Sequence, residues 1–200
     1  LSRLRALGVL YPCFCTRKEI QAELSRITSA PHGPDGPHYP GTCRSMSEDE
    51  IQSRLAEGET PAWRLHAEQA AEMVGALEFE DLRLGHHQVD PLLHGDVILS
   101  RKDIGTSYHL AVTVDDARDR ITHVTRGEDL LPATHIHCVL QHLLELPRPL
   151  YLHHPLVVGA DGKRLAKRDQ PTSIRELRAE GMTCREIFEN LPAIPSSATH

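Results

Sequence analysis

The sequence predicts an α/β protein, with a parallel sheet in its second half and a zinc-bearing α+β segment before it. Three observations carry that expectation. A strand-like run, "ITHVT", a long helix with one apolar face, "PATHIHCVLQHLLEL", and a second run, "LYLHHPLVV", follow one another, and a crossover of that length joins parallel strands. The second run leads into "DGKRLAKRD", a basic loop at the C-terminal end of a strand, where open α/β sheets bind their ligands. Three of the five cysteines, Cys13, Cys15 and Cys43, gather in the first quarter of the 200 residues, which suits a metal site better than a disulfide framework.

Taken in order, "LSRLRALGVLY" reads as the end of a helix, so the chain is expected to be part of a longer product. "TRKEIQAELSRI" pairs Thr16 with Glu19 in capping-box spacing and puts Ile20, Leu24 and Ile27 on one helical face. "TSAPHGPDGPHYPG" holds too much Pro and Gly to continue that helix and reads as a loop. Ser47 and Glu50 cap a second helix that runs through Ile51 and Leu55 to a stop at Gly58. From residue 61 the pattern shortens to strand-like pieces, "AWRLH", "ALEFEDLRLG", "DVILS", "YHLAVTV" and "ITHVT", by alternation and β-branched content. The long helix then places Ile136, Val139, Leu140, Leu143 and Leu144 at helical spacing, with Pro132 in its tolerant first turn. Two short helices, capped by Ser173 with Glu176 and by Thr183 with Glu186, come last.

Composition narrows the function classes. Hydrophobic residues at 40% with 25% charged describe a folded globular chain, and a net charge of −6 argues against wholesale coating of nucleic acid. No apolar run approaches the roughly 20 residues that span a bilayer, and the start carries no signal-peptide pattern, so a cytoplasmic location is expected.

Against that acidic background, Lys163, Arg164, Lys167 and Arg168 crowd one loop, and clustered cations after a strand can hold a polyphosphate. A solvated surface turn is the plain alternative. In "SYHLAVTVDDARDRITHVTRGEDLL", Tyr108 leads an expected strand and Arg126 follows another. An Arg so placed can grip a substrate carboxylate with two hydrogen bonds, and the Tyr hydroxyl adds a polar contact. Each also has a duller reading, Tyr108 as half-buried core and Arg126 as a partner of Asp115, Asp116 or Asp129. Asp115 and Asp116, adjacent on a strand, would face opposite sides and not converge. For the metal, three thiolates need a fourth donor, with His32, His38 and Tyr39 nearby and His38 the preferred one on ligand chemistry. The histidines of "GHHQ" and "LHHP" read as ordinary strand-edge or loop residues.

"YHLAVTVDDARDRITHVTRGEDLL" followed by "LYLHHPLVVGADGKRLAKRD" resembles the second half of the catalytic domain of class I glutamyl-tRNA synthetases and their glutamyl-Q tRNA(Asp) relatives, over about residues 1 to 180. The resemblance implies the end of a first Rossmann half at 1–10, a zinc-bearing insertion at 11–104, a second Rossmann half at 105–160, and a KMSKS-type loop with following helices at 161–200. It sets Arg164, Leu165, Ala166, Lys167 and Arg168 on the five signature positions, with Arg164, Lys167 and Arg168 toward ATP and Lys167 the key cation. The first Lys is replaced by Arg164 and the usual Ser by Ala166. It sets Tyr108 and Arg126 against glutamate, and it replaces His38 by Tyr39 as zinc ligand beside Cys13, Cys15 and Cys43. It implies ATP-dependent glutamate activation and transfer to the queuosine base of tRNA(Asp), with structural Zn2+, Mg2+ accompanying ATP, no membrane partner and a monomer. A HIGH-type motif is not found in the 200 residues, and the chain alone is expected to be inactive. The rival readings are a truncated glutamyl-tRNA synthetase and a non-catalytic tRNA-binding zinc module.

Overall fold

The computed structural model describes residues 1–27, 31–156 and 173–189. The expected basic loop, with Arg164, Lys167 and Arg168, lies outside the described residues.

The chain opens with helix α1 (Ser2–Ala6) and strand β1 (Leu10–Cys13). Helix α2 (Arg17–Leu24) starts at Thr16, whose side chain accepts from the Glu19 N–H while Glu19 returns a bond to the Thr16 N–H, so the expected capping box forms. The Pro/Gly segment makes a small hairpin, β2 (His32–Gly33) with β3 (Gly36–Pro37), before a second capping box at Ser47 and Glu50 begins α3 (Glu48–Ala56). Then come β4 (Ala62–Leu65), α4 (Ala67–Val74), β5 (Glu78–Asp81), β6 (Gly85–Gln88) and β7 (Ile98–Ser100). Helix α5 (Tyr108–Arg118), β8 (His123–Gly127), a short 3-10 turn, α6 (Leu131–Leu143) and β9 (Leu150–His154) follow, and the capped helices α7 (Ile174–Ala179) and α8 (Cys184–Glu189) end the described residues.

Two sheets position the site. Strands β1, β4 and β7 form an antiparallel sheet in that order, and the second sheet has the order β6-β5-β9-β8. In the latter β9 pairs in parallel with both β5 and β8, and β6 is an antiparallel edge. The strand, helix, strand unit read from the sequence is thus β8, α6 and β9. β5 and β6 join this parallel sheet although they fall within the stretch 11–104. Helix α6 supplies Ile136, Val139, Leu140 and Leu143 to one core, together with Leu4, Val9, Leu65, Leu99 and Leu110. Leu140 is fully buried there, so truncation to Ala would cost about 2–5 kcal/mol.

Two readings are corrected. "YHLAVTV" is not a strand but the first two turns of α5. Its β-branched run, Val112 to Val114, lowers helix propensity by only a few tenths of a kcal/mol per residue, and packing against α6 outweighs that. Leu110 and Thr113 lie three apart and are both buried, and the Thr113 hydroxyl donates to the His109 carbonyl at 2.8 Å, one turn back. Between "AWRLH" and "ALEFEDLRLG", where the sequence reading names no element, lies α4, in which Ala67, Ala70 and Val74 bury one helical stripe. "ALEFEDLRLG" also turns back on itself, giving β5 and the first residue of β6.

Candidate functional site

Arg126 sits near the end of β8, beside the start of α6. Its side chain is partly buried and held on three sides among the described residues. Nε donates to His153 Nε2 at 3.1 Å, one terminal nitrogen meets His137 Nδ1 at 3.2 Å, and the other donates to Thr134 Oγ1 at 2.5 Å. All three acceptors are neutral groups, and their residues are buried. The guanidinium also lies over the Tyr151 ring, 5.3 Å from its centroid. These three groups orient the cation without neutralising it, while Asp116, raised by burial and lowered in part by Arg126, is a carboxyl within its field.

Tyr108, the first residue of α5, is about half exposed at 51%. Its ring lies 5.7 Å from that of His137, which also touches Arg126. The two residues singled out for a carboxylate therefore share His137 as a common neighbour, although the expected strand carrying Tyr108 is a helix. Asp115 and Asp116 still do not converge, now because consecutive helical residues diverge by about 100°; Asp115 pairs with Arg118 at 3.4 Å.

Burial, followed by the charge of Arg126, pushes His137 down to about 2. Burial likewise pushes His109 down to about 4, helped by the neighbouring His94 and Arg126. His109 Nδ1 and His137 Nε2 lie 3.2 Å apart. Because Arg126 has only protons to offer, His137 must accept at Nδ1 and carry its own proton on Nε2, donating to His109 Nδ1. On the other side of Arg126, His153 Nδ1 lies 2.6 Å from Asp81 Oδ2, both residues being fully enclosed. Burial works against the Asp81 charge, but bonds from His153 and from the Leu84 and Arg83 N–H groups outweigh it and hold the carboxyl below its usual range. Burial also lowers His153, with the bond to Asp81 opposing it.

The second neighbourhood is the cysteine cluster. The sulfurs of Cys13, Cys15 and Cys43 lie within 4.8 Å of one another. Tetrahedral zinc with Zn–S near 2.3 Å needs sulfurs roughly 3.8 Å apart, so the spacing fits. The Tyr39 hydroxyl stands 3.5 Å from the Cys13 sulfur and 3.4 Å from that of Cys15. His38, the chemically preferred donor, instead turns its Nε2 to the Leu93 carbonyl at 3.1 Å. Cys13, Cys15, Tyr39 and Cys43 could therefore hold a metal ion. The bond from Cys13 pulls the Cys43 thiol down, while the same bond and burial push Cys13 up, so one thiolate is already favoured.

Arg64 of β4 lies 3.8 Å over the Tyr39 ring and donates to the Asp96 carbonyl at 2.7 Å. Asp96, buried, accepts from the Tyr11 hydroxyl at 2.6 Å, the Ala67 N–H at 3.0 Å and Arg44 at 2.7 Å. This hub ties β1, β4 and the start of α4 behind the thiols. A cleft of about 580 Å³ has Tyr39 and Arg64 as well as His94 and His109 along its lining, so it reaches from the cysteine cluster toward the histidine pair.

A family described as tRNA synthetases class I (E and Q), catalytic domain, matches residues 2–193. The chain belongs to this class I synthetase family. A Rhodobacter capsulatus protein named glutamyl-Q tRNA(Asp) synthetase is 45% identical over 192 residues, covering 94% of this chain and 68% of that protein. A Symbiobacterium thermophilum protein of the same name is 42% identical over 195 residues, covering 96% of this chain and 57% of that protein. The solved glutamate-tRNA synthetase of Elizabethkingia anophelis is similar with a TM-score of 0.67 at 25% identity, over 84% of this chain and 34% of that one. The chain thus spans a little over half to about two thirds of the two glutamyl-Q relatives and about a third of the solved synthetase. Among the described residues no helix is long and apolar enough to cross a membrane.

Sequence reasoning named Tyr108, Arg126 and the cysteines as candidates and did not name Asp81, Thr134, His137 and His153, which surround Arg126. The "LHHP" histidines were expected at a strand edge or in a loop, whereas His153 lies on β9, between β5 and β8 inside the sheet. A buried partner 72 positions away leaves no local spacing to read.

Proposed function

We propose that the enzyme to which this chain contributes activates glutamate with ATP and transfers it to the queuosine base of tRNA(Asp). The observation that carries the glutamate reading is Arg126, whose planar fork is oriented by His153, His137 and Thr134 beside Tyr108. A guanidinium so fixed suits a planar carboxylate, and the Tyr108 hydroxyl adds a polar contact. Both relatives reported above bear the glutamyl-Q name, which favours the queuosine acceptor over the acceptor end of tRNA(Glu).

In this reading Arg164, Lys167 and Arg168 gather on the ATP phosphates, with Mg2+ accompanying the nucleotide and Lys167 offsetting charge as pyrophosphate leaves. Catalysis is positioning and electrostatics, with no covalent nucleophile. Cys13, Cys15, Tyr39 and Cys43 hold structural Zn2+, which would pin the turn after β1 to the segment before α3 and take no part in the chemistry. The 200 residues alone are read as inactive and monomeric.

The test is transfer of labelled glutamate by the product of the full reading frame. Label on tRNA(Asp) that carries queuosine, and none on tRNA(Asp) lacking it, is the expected result. Label on tRNA(Glu) instead would replace this reading by an ordinary glutamyl-tRNA synthetase, and no transfer to any tRNA would support a non-catalytic module.

A further inference from the structure

We propose that Asp81 and His153 are positioning residues for Arg126: Asp81 fixes His153 in the Nδ1–H tautomer, and the freed Nε2 lone pair aims the guanidinium at its carboxylate. This deepens the glutamate reading and rests on it.

Every contact of Asp81 asks it to accept. Oδ1 receives the N–H groups of Arg83 at 2.9 Å and Leu84 at 2.8 Å, closing the turn after β5. Oδ2 receives the His153 N–H at 2.9 Å and faces His153 Nδ1 at 2.6 Å. Only a proton on Nδ1 makes that last contact a bond. With Nδ1 protonated and the ring neutral, Nε2 is left as an acceptor, and Arg126 Nε donates to it at 3.1 Å. Thr134 Oγ1 lies 3.2 Å from the same Nε2 and itself accepts from Arg126, so the imidazole and hydroxyl together set the plane of the guanidinium. Arg83 Nε holds the His153 carbonyl at 2.6 Å, which keeps β9 in register with this turn. The relay has the form of a carboxylate orienting a histidine for a third group, with an arginine in the place a metal takes elsewhere.

Asp81→Asn separates this from a plain packing role, because it keeps shape and removes one acceptor. An amide placing its NH2 toward Arg83 and Leu84 meets two N–H groups. The reverse placement meets only one backbone N–H, that of His153, and shifts the second conflict to the Arg126 side chain, which can turn where backbone cannot, so it is the less costly. In that placement His153 Nδ1 must accept, its proton moves to Nε2, and Nε2–H then confronts Arg126 donor to donor. His153→Gln supplies the converse: an amide oxygen can accept from Arg126 whatever occupies position 81.

The test reads the tautomer by 15N histidine NMR on the chain without substrate, assigning His153 by its loss in His153→Gln. The expected wild type is neutral His153 with the proton on Nδ1, and folded Asp81→Asn reverses it. In the full-reading-frame enzyme Asp81→Asn raises KM for glutamate about tenfold, with kcat changed less. Placed in a His153→Gln background, the same substitution changes KM less than about twofold. An Nε2–H or cationic His153 in the wild type overturns the proposal, and that spectrum decides the matter even where Asp81→Asn does not fold. A folded Asp81→Asn with an unchanged tautomer or unchanged KM also overturns it. Since the tautomer is read without glutamate, an Nδ1–H His153 alongside an Arg126→Ala enzyme of normal glutamate kinetics would keep the relay's geometry and remove the glutamate reading.

Discussion

Lowering the pH from 8 to 5 should destabilise this protein through two histidines that the fold keeps neutral. His137 is held down to about 2 by burial and by Arg126, and His109 to about 4 by burial and neighbouring cations. In the unfolded chain both return to about 6.5. Between these values the unfolded state binds more protons than the folded one, so stability is fully present above about pH 6.5 and is lost as pH falls toward the folded values. By pH 5 each histidine accounts for about 2 kcal/mol, roughly 4 kcal/mol for the pair. With a urea m-value of about 2 kcal/mol/M, that is a midpoint shift of about 2 M. Asp81, lowered from its ordinary value, contributes stability that is lost only in more acidic solution, below this window. His135 and His153, lowered by burial, and Cys43, lowered by its bond from Cys13, weaken the fold in the same direction but are common to wild type and variant. The assay is urea unfolding at both pH values for the wild type and for His109→Asn/His137→Gln. The variant should lose the share that the pair contributes, roughly 4 kcal/mol, and keep the share of the groups that are unchanged. Equal pH dependence in the two proteins would refute the claim that this pair is stored neutral beside Arg126.

Arg126→Ala in the full-reading-frame enzyme should weaken glutamate use on the order of 100-fold, the loss of a two-bond charged contact; unchanged glutamate kinetics would remove Arg126 from the site. Lys167→Ala should slow adenylate formation while the circular dichroism spectrum stays that of the wild type, and normal activation rates would end its phosphate role. Metal analysis should find about one zinc per chain, lost in Cys43→Ser, because three remaining donors no longer close a tetrahedral site. Equal zinc content in that variant would place the metal elsewhere.

How much could be read in advance follows the range of each signal. Capping boxes at Thr16, Ser47 and Ser173 are local, spanning four residues, and all form. The β8, α6, β9 crossover was legible because α6 carries a long apolar stripe and is flanked by strand-like runs. Helix α5 was not, since Val112, Thr113 and Val114 favour a strand locally and only burial of Leu110 and Thr113 against other elements decides for a helix. Cys13 and Cys15 announced themselves by spacing, whereas the choice of Tyr39 over its neighbour His38 as a candidate fourth donor came from resemblance, because the contacts of the Tyr39 hydroxyl with two sulfurs and the turn of His38 toward Leu93 belong to the folded chain. The polar network around Arg126 was invisible for a related reason. Asp81, Thr134, His137 and His153 come from β5, α6 and β9, and the sheet and helix packing alone bring them to one cation.

The measurement that bears most directly on the glutamate assignment is glutamate-dependent ATP–pyrophosphate exchange without tRNA, using the product of the full reading frame with the 200-residue chain as control. Exchange by the full product in the absence of tRNA, and none by the control, is the result expected here. Exchange that appears only when tRNA is added would favour an ordinary glutamyl-tRNA synthetase, and no exchange under either condition would contradict the assignment of Arg126 and Tyr108 to glutamate.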